Sequence, residues 1–291
     1  MKRIPFQQVD VFTAVPFKGN PVAVVLESDE LSTAQMQAIA NWTNLSETTF
    51  VGPPTEPAAD YRLRIFTPRA EIPFAGHPTI GSAHAVLRRG RVPKRAGHLV
   101  QECKKGLIEL LIESQRLFFR LPEPIFTSPD ERQRADAAAA LGVAATAIER
   151  AAVIDVGVVW FTVQLRDGEM VTNLKPDMAA IAALSGSALT GLNVFGFHKD
   201  GRPTDVEVRS FAPADGIPED PVCGSGNGCV AALIHRDKLL DRNSYIASQG
   251  RCLQRDGRVE VRFEDDAIWL GGHAVTCIEG TLNVGSADHP Q

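Results

Sequence analysis

Arg64-Ile65-Phe66-Thr67-Pro68-Arg69-Ala70-Glu71-Ile72-Pro73 lies over Arg209-Ser210-Phe211-Ala212-Pro213-Ala214-Asp215-Gly216-Ile217-Pro218 with five of ten residues identical, at an offset of 145 in a chain of 291. At the same offset Val9-Asp10-Val11 falls on Ile154-Asp155-Val156, Phe50 falls on Phe195, and Met36-Gln37-Ala38-Ile39 falls on Ile181-Ala182-Ala183-Leu184. Beyond the Ile-Pro pair the second copy gains three residues, so Ala75-Gly76-His77 lies over Cys223-Gly224-Ser225. One short match would be chance. Ordered matches at half the chain length indicate an internal duplication, which is settled before any motif because a missed repeat misassigns the whole fold. Each copy is then an α/β unit of ordinary domain size.

Outward from that stretch, residues 9–12 and 23–26 alternate as strands on either side of the Gly19-Asn20-Pro21 turn. Residues 31–42, opened by Ser32 or Thr33, carry helical spacing; 48–51 and 61–66 alternate as strands; 80–89 returns to helical spacing. Further alternating runs at 107–112, 117–121 and 259–263 fill out mixed sheets. The fold class expected is α+β, two pseudo-symmetric halves, each a mixed sheet curled around a central helix. The border falls within 122–149, where Pro122, Pro124 and Pro129 precede an Ala-rich helical stretch, so the halves are set at 1–130 and 131–291.

A hydrophobic content of 44% with 22% charged residues excludes disordered and collagen-like classes. No run approaches the roughly 18 apolar residues of a membrane span. The start, Met1-Lys2-Arg3-Ile4-Pro5-Phe6-Gln7-Gln8, turns polar before an export signal could develop, so a cytoplasmic location is expected, with no membrane partner. Thirty Lys and Arg against 35 Asp and Glu leave a net charge of -5 without a basic stripe, so no nucleic-acid partner is expected. Five scattered cysteines with no CxxC pair read as reduced thiols rather than disulfides or a zinc site. His77 and His84 could share a helical face, but no third ligand stands near them, and no metal is expected.

Two Gly-punctuated turns open helices at equivalent places, Gly76-His77-Pro78-Thr79-Ile80-Gly81 and Gly224-Ser225-Gly226-Asn227-Gly228-Cys229. The first turn of a helix offers unpaired N–H groups and a positive dipole end, suited to a carboxylate or phosphate. Glycines there also permit close packing; the pairing of the turns across the repeat shifts the balance toward anion binding. The second turn is a poor dinucleotide loop, because position 229 is Cys229 rather than Gly and prolines precede it in place of a strand. No Walker lysine follows either turn. Glu47, in Asn44-Leu45-Ser46-Glu47-Thr48-Thr49-Phe50-Val51, falls opposite Leu192, so the halves differ where catalysis could need asymmetry; taken alone, an acid at a helix-to-strand turn before an apolar strand reads as a surface residue. A carboxylate at the edge of an apolar cleft has a raised pKa and suits proton transfer. Asp220, His77 and Ser225 lie beside the two turns.

These stretches, with Val9-Asp10-Val11-Phe12-Thr13, Phe17-Lys18-Gly19-Asn20-Pro21-Val22-Ala23-Val24, Phe66-Thr67-Pro68 and Glu219-Asp220-Pro221-Val222-Cys223-Gly224-Ser225-Gly226, resemble the PhzF-like phenazine-biosynthesis isomerases. The motifs stand in that family's order from residue 9 to 226. The resemblance implies the diaminopimelate-epimerase-like fold of two similar halves, with the active site between them, and catalysis without any cofactor. It implies Glu47 as the general acid/base, and Ser46, Gly76, His77, Asp220, Gly224 and Ser225 as substrate-binding residues. Related racemases use two facing thiols; here one is Cys223 and its counterpart at the 148 offset is Ala75, which excludes a two-thiol racemase. Cys223 is then either structural or a second acid/base.

The function expected is a cofactor-independent isomerase that shifts a proton on a small carboxylate-bearing substrate. The alternatives are an epimerase or dehydratase using Glu47 with Cys223, and a non-catalytic small-acid binding protein. A homodimer is expected, from the family and because closed two-fold dimers are the commonest oligomers.

Overall fold

Ser32 begins the first helix by a reciprocal cap. Its hydroxyl accepts the Gln35 N–H at 3.2 Å, while Gln35 Oε1 accepts the Ser32 N–H at 3.0 Å. Asn44 ends that helix in the left-handed region, φ 53°, which a short polar side chain tolerates. Asp130 and Gln133 make the same reciprocal cap for the Ala-rich helix, and Gly142 closes it at φ 71°. The computed structural model describes residues 2–185, 189–199, 201–264 and 267–285.

Contacts divide the chain into two units. Unit 1 comprises Met1–Phe17, Pro21–Phe119 and His273–Gln291; unit 2 comprises Lys18–Asn20 and Arg120–Gly272. These extents differ from consecutive halves at 1–130 and 131–291, because the last strand returns to pair with the first.

The elements through unit 1 are β1 (Lys2–Val11), β2 (Asn20–Val25), α1 (Thr33–Thr43), β3 (Thr48–Gly52), β4 (Tyr61–Phe66), β5 (Glu71–Ile72), α2 (Gly76–Arg88), β6 (His98–Cys103), β7 (Gly106–Glu113) and β8 (Arg116–Arg120). Pairing is parallel for β2/β3 and β4/β6, and antiparallel for β3/β4, β4/β5, β6/β7 and β7/β8. Ten of the 13 residues of α2 are buried. A Cβ on Gly81 would stand 2.3 Å from Val22 Cγ1 and 3.0 Å from Val11 Cγ2, so glycine is what lets this helix lie so near β1 and β2. The expected helix at 80–89 thus starts earlier, at Gly76, with Pro78 tolerated in a first turn whose N–H groups have no helical partner.

Unit 2 continues with β9 (Ile125–Thr127), α3 (Glu131–Leu141), β10 (Ile148–Asp155), β11 (Val159–Leu165), α4 (Gly168–Thr172), α5 (Met178–Ser185), β12 (Gly191–Phe197), β13 (Val206–Ala212), β14 (Ile217–Asp220), α6 (Gly224–Arg236), β15 (Ser244–Gln249), β16 (Gly257–Glu264) and the start of β17 (Ala267–Val284). Pairing is parallel for β11/β12 and β13/β15, and antiparallel for β9/β10, β10/β11, β12/β13, β13/β14, β15/β16 and β16/β17. Helix α6 is buried along Gly226–Ile234 positions such as Val230, Ala231 and Leu233. An apolar cluster around Phe161, Val163, Val194 and Phe211 receives the alanines of α3 and Ile181 of α5.

The rest of β17 belongs to unit 1, where it runs antiparallel to β1 from Lys2↔Val284 to Val11↔Ala274. Neither the first seven residues of β1 nor any of β17 is legible as strand from alternation alone. Among the described residues no helix is long and apolar enough to cross a membrane.

Candidate active site

In unit 1, Glu47 is carried on the bend between the left-handed cap Asn44 and β3. Three hydroxyl contacts hold that bend. Thr43 Oγ1 lies 2.7 Å from Thr48 Oγ1, Thr49 Oγ1 donates to the Ala23 carbonyl at 3.3 Å, and Ser82 Oγ donates to Thr49 Oγ1 at 2.8 Å. The last bond ties the strand after Glu47 to the helix that carries His77. Glu47 Oε2 stands 3.3 Å from His77 Nε2, with the two side chains only 14% and 5% exposed.

Burial lowers the His77 pKa to about 3, against a hydrogen bond from the ring to the Pro21 carbonyl that acts in the other direction. The imidazole is therefore neutral across the physiological range, and the contact with Glu47 is not an ion pair. Ser46 is half-buried on the same bend, and Gly76 is buried at the first position of α2. No side chain caps α2, whose N-cap residue is Ala75.

In unit 2, Asp220 ends β14 and is buried. Its Oδ1 accepts Asn20 Nδ2 at 2.9 Å and the Val222 N–H at 3.0 Å. Burial nonetheless raises its pKa to about 7, with the Val222 N–H opposing. Cys223 is the N-cap of α6, its Sγ accepting the Gly226 N–H at 3.2 Å. Burial and then the charge of Asp220 push this thiol far above the ordinary range, so it is neutral. Ser225 is half-buried, with its Oγ accepting Trp160 Nε1 at 2.9 Å and lying 3.5 Å from Cys223 Sγ. Gly224 is buried at the start of the helix. Unit 1 thus brings Ser46, Glu47, Gly76 and His77 together, and unit 2 does the same for Asp220, Cys223, Gly224 and Ser225.

Sequence reasoning missed the side chains that hold the second cluster. Gln249 Oε1 accepts the Cys223 N–H at 3.1 Å and Asn227 Nδ2 at 2.8 Å, while its Nε2 donates to the Asp220 carbonyl at 3.0 Å. Ser210 Oγ donates to Asn193 Oδ1, whose Nδ2 donates to the Gly226 carbonyl, both at 2.8 Å. Asn20 is read from sequence only as part of a turn. In the fold its amide spans Asp220 Oδ1 and the Val222 carbonyl. One signal was present: Ser210 replaces Ile65 of the repeat, an apolar-to-polar change at a position buried in both copies. Among the described residues no group of three His, Cys, Asp or Glu side chains is placed to hold a metal ion. None of the five cysteines is in a disulfide.

The family profile described as phenazine biosynthesis-like protein matches residues 9–280. The chain belongs to the phenazine biosynthesis-like family. This family member is 40% identical to antisense-enhancing sequence 1 of Schizosaccharomyces pombe, over 94% of this chain and 97% of that protein. It is 34% identical to an uncharacterized isomerase of Mesorhizobium japonicum, over 94% of this chain and 96% of that one. The crystal structure of a Bacillus anthracis phenazine biosynthesis protein of the PhzF family superposes with a TM-score of 0.83 at 24% identity, covering 98% of this chain and all of that one (100%). That likeness fixes the fold as the PhzF fold. The family and its named relatives make this phenazine biosynthesis-like protein an enzyme, a PhzF-like isomerase.

Proposed function

We propose that this isomerase moves a proton along a small carboxylate-bearing substrate with Glu47 as its general acid and base. The observation that carries the reading is the 3.3 Å approach of Glu47 Oε2 to Nε2 of a buried imidazole. The neutral ring is bonded to the Pro21 carbonyl, so no imidazolium holds the Glu47 carboxyl in an ion pair with it. A carboxylate beside a neutral ring rather than a cation is placed to take a proton and to give it back. Glu47 as carboxylate removes a proton from carbon next to a carbonyl or unsaturated acid, the C–H electron pair moving into that acceptor. The protonated Glu47 then returns the proton to another carbon as the electron pair is released. Proton and charge balance within substrate and protein.

Backbone donors are assigned to the developing negative charge. In unit 1 they are the first N–H groups of α2, which no side chain caps. In unit 2 the Cys223 N–H is given to Gln249 and the Gly226 N–H to the Cys223 thiol, so Gly224 and Ser225 are the donors assigned to an acid group. The two units are read as copies of one ancestral unit. The matching order of parallel and antiparallel pairings within each supports this, as does the 148-residue spacing of α2 and α6.

Cys223 is assigned as a helix cap rather than a second base. Cys223→Ser should keep most of the turnover, because a serine hydroxyl also accepts the Gly226 N–H, and alkylation of Cys223 in the native protein should be slow because a buried neutral thiol is inert. Activity falling to the level of a Glu47 variant would instead establish a Glu–Cys pair. The homodimer is carried forward as a proposal; light scattering at micromolar concentration should give twice the 31.5 kDa chain mass, and a monomer mass removes it.

The direct test of function is incubation with unsaturated cyclic acids and amino acids in heavy water. Solvent deuterium should enter carbon positions of a turned-over substrate. Turnover in which neither solvent deuterium nor a deuterium label from the substrate's own carbon arrives at a new carbon position would exclude a proton-shifting base.

A further inference from the structure

Four arginines of unit 2 converge on one small cavity that the proton-transfer reading does not use. Arg202 comes from the loop between β12 and β13, Arg251 and Arg255 from the connection between β15 and β16, and Arg258 from the start of β16. The cavity holds about 50 Å³, several times the space one water needs and suited to a compact oxyanion. Its floor is polar and buried. Thr204 Oγ1 donates to Ser248 Oγ at 3.2 Å, and Ser248 Oγ donates to Glu207 Oε2 at 2.8 Å. His198 Nε2 lies 3.0 Å from the same hydroxyl and 3.2 Å from the same carboxyl.

That floor is not a nucleophilic triad. The acid and the hydroxyl meet one nitrogen of His198, whereas a triad needs the acid on the far nitrogen to orient the ring. What the cluster supplies is a rigid hydroxyl floor beneath a positively charged rim.

The charges do not balance. Two carboxylates, Glu207 and Asp256, face four guanidiniums. Asp256 is bonded to Arg258 at 2.6 Å, and Glu207 accepts the Ser248 hydroxyl within the floor. Among the described residues no carboxylate stands at ion-pair distance from Arg202 or Arg251, both exposed at the rim. The unrelieved field reaches inward. After burial, the charges of Arg202, Arg251 and Arg258 are what hold the His198 pKa below its ordinary value.

We propose that this cavity binds a phosphate group, as inorganic phosphate or as the head of a small phosphate monoester. Arg202 and Arg251, the two guanidiniums with no carboxylate at ion-pair distance among the described residues, match a dianion better than a single carboxylate. Guanidinium forks present paired N–H donors at the spacing of phosphate oxygens. The volume admits one such head and little more.

The test is titration calorimetry of the full chain near neutral pH at low ionic strength, with sodium phosphate, glycerol phosphate and sodium acetate matched in ionic strength. The expected result is saturable one-to-one phosphate binding that is at least about tenfold weaker in Arg202→Ala/Arg251→Ala, the scale of one lost charge-assisted contact. Without phosphate the two proteins should unfold at the same midpoint, since both arginines are exposed; if the double variant does not fold, Arg202→Gln alone is read in the same way. Tighter glycerol phosphate identifies a monoester ligand, and binding of inorganic phosphate alone identifies the free ion; either supports the site. Absence of saturable heat with both phosphates, acetate binding as tightly as phosphate, or equal phosphate affinity in wild type and variant overturns it.

Discussion

Glu47→Gln is expected to abolish both turnover and solvent exchange at carbon while leaving the protein folded. A positioned general base contributes about 10²–10⁴-fold in rate, and a primary amide has no basic oxygen to replace it. The fold tolerates the change because the bend around residue 47 is held by Thr43, Thr48, Thr49 and Ser82 rather than by the carboxyl. Glutamine keeps the size of the side chain, so it can occupy the same place beside the neutral His77 ring. The measurement is deuterium incorporation together with the unfolding midpoint of the variant. Wild-type exchange in a normally folded Glu47→Gln protein would return Glu47 to the role of a half-buried polar residue.

Asp220→Asn is expected to make the protein more stable relative to wild type as pH rises. Burial raises the folded pKa of Asp220 to about 7, above the roughly 3.9 of an unfolded chain. Between those values the folded state holds a proton that the unfolded state has released, so wild-type stability falls as pH increases through that window. Asparagine is the shape of the protonated acid and can still accept from Asn20 Nδ2 and the Val222 N–H. The difference in unfolding free energy, variant minus wild type, should grow by about 3 kcal/mol from pH 5 to pH 8, at 1.36 kcal/mol for each unit up to the folded pKa. His77, lowered to about 3, contributes the opposite slope below its ordinary value, but it is present in both proteins and cancels in the difference. Parallel stability curves across pH 5–8 would show that Asp220 is ionised in the fold throughout.

The repeated Arg-x-Phe was legible because it serves the same local purpose twice. Arg64 grips Glu71 with both contacts at 2.8 Å and lies over Phe66 at 5.1 Å; Arg209 grips Glu219 at 2.9 and 2.8 Å and lies over Phe211 at 4.9 Å. The acid partners escaped the alignment. Glu71 falls opposite Gly216 at the 145 offset, and the three-residue gain puts Glu219 in register with it. A bidentate pair needs its acid on the neighbouring strand rather than at a set spacing along the chain, so tertiary packing chose the position.

Sequence alone determined what local chemistry can encode. Ser32 with Gln35 and Asp130 with Gln133 start helices, the run at 61–66 alternates and is a strand, and the ordered motifs from residue 9 to 226 mark the family. Glu47 stood out because its counterpart in the repeat is Leu192. The tertiary structure decided whatever depends on groups distant in sequence. It paired Lys2 with Val284, a contact between chain ends that periodicity does not reach. It set Asn20 against Asp220 and buried both, and that burial makes an ordinary aspartate hold its proton near neutrality. It buried His77 beside Glu47, and loss of water around the ring, rather than the residue's identity, leaves the imidazole neutral. A side chain's type is written in the sequence, but its protonation state follows from the solvent the fold removes from it.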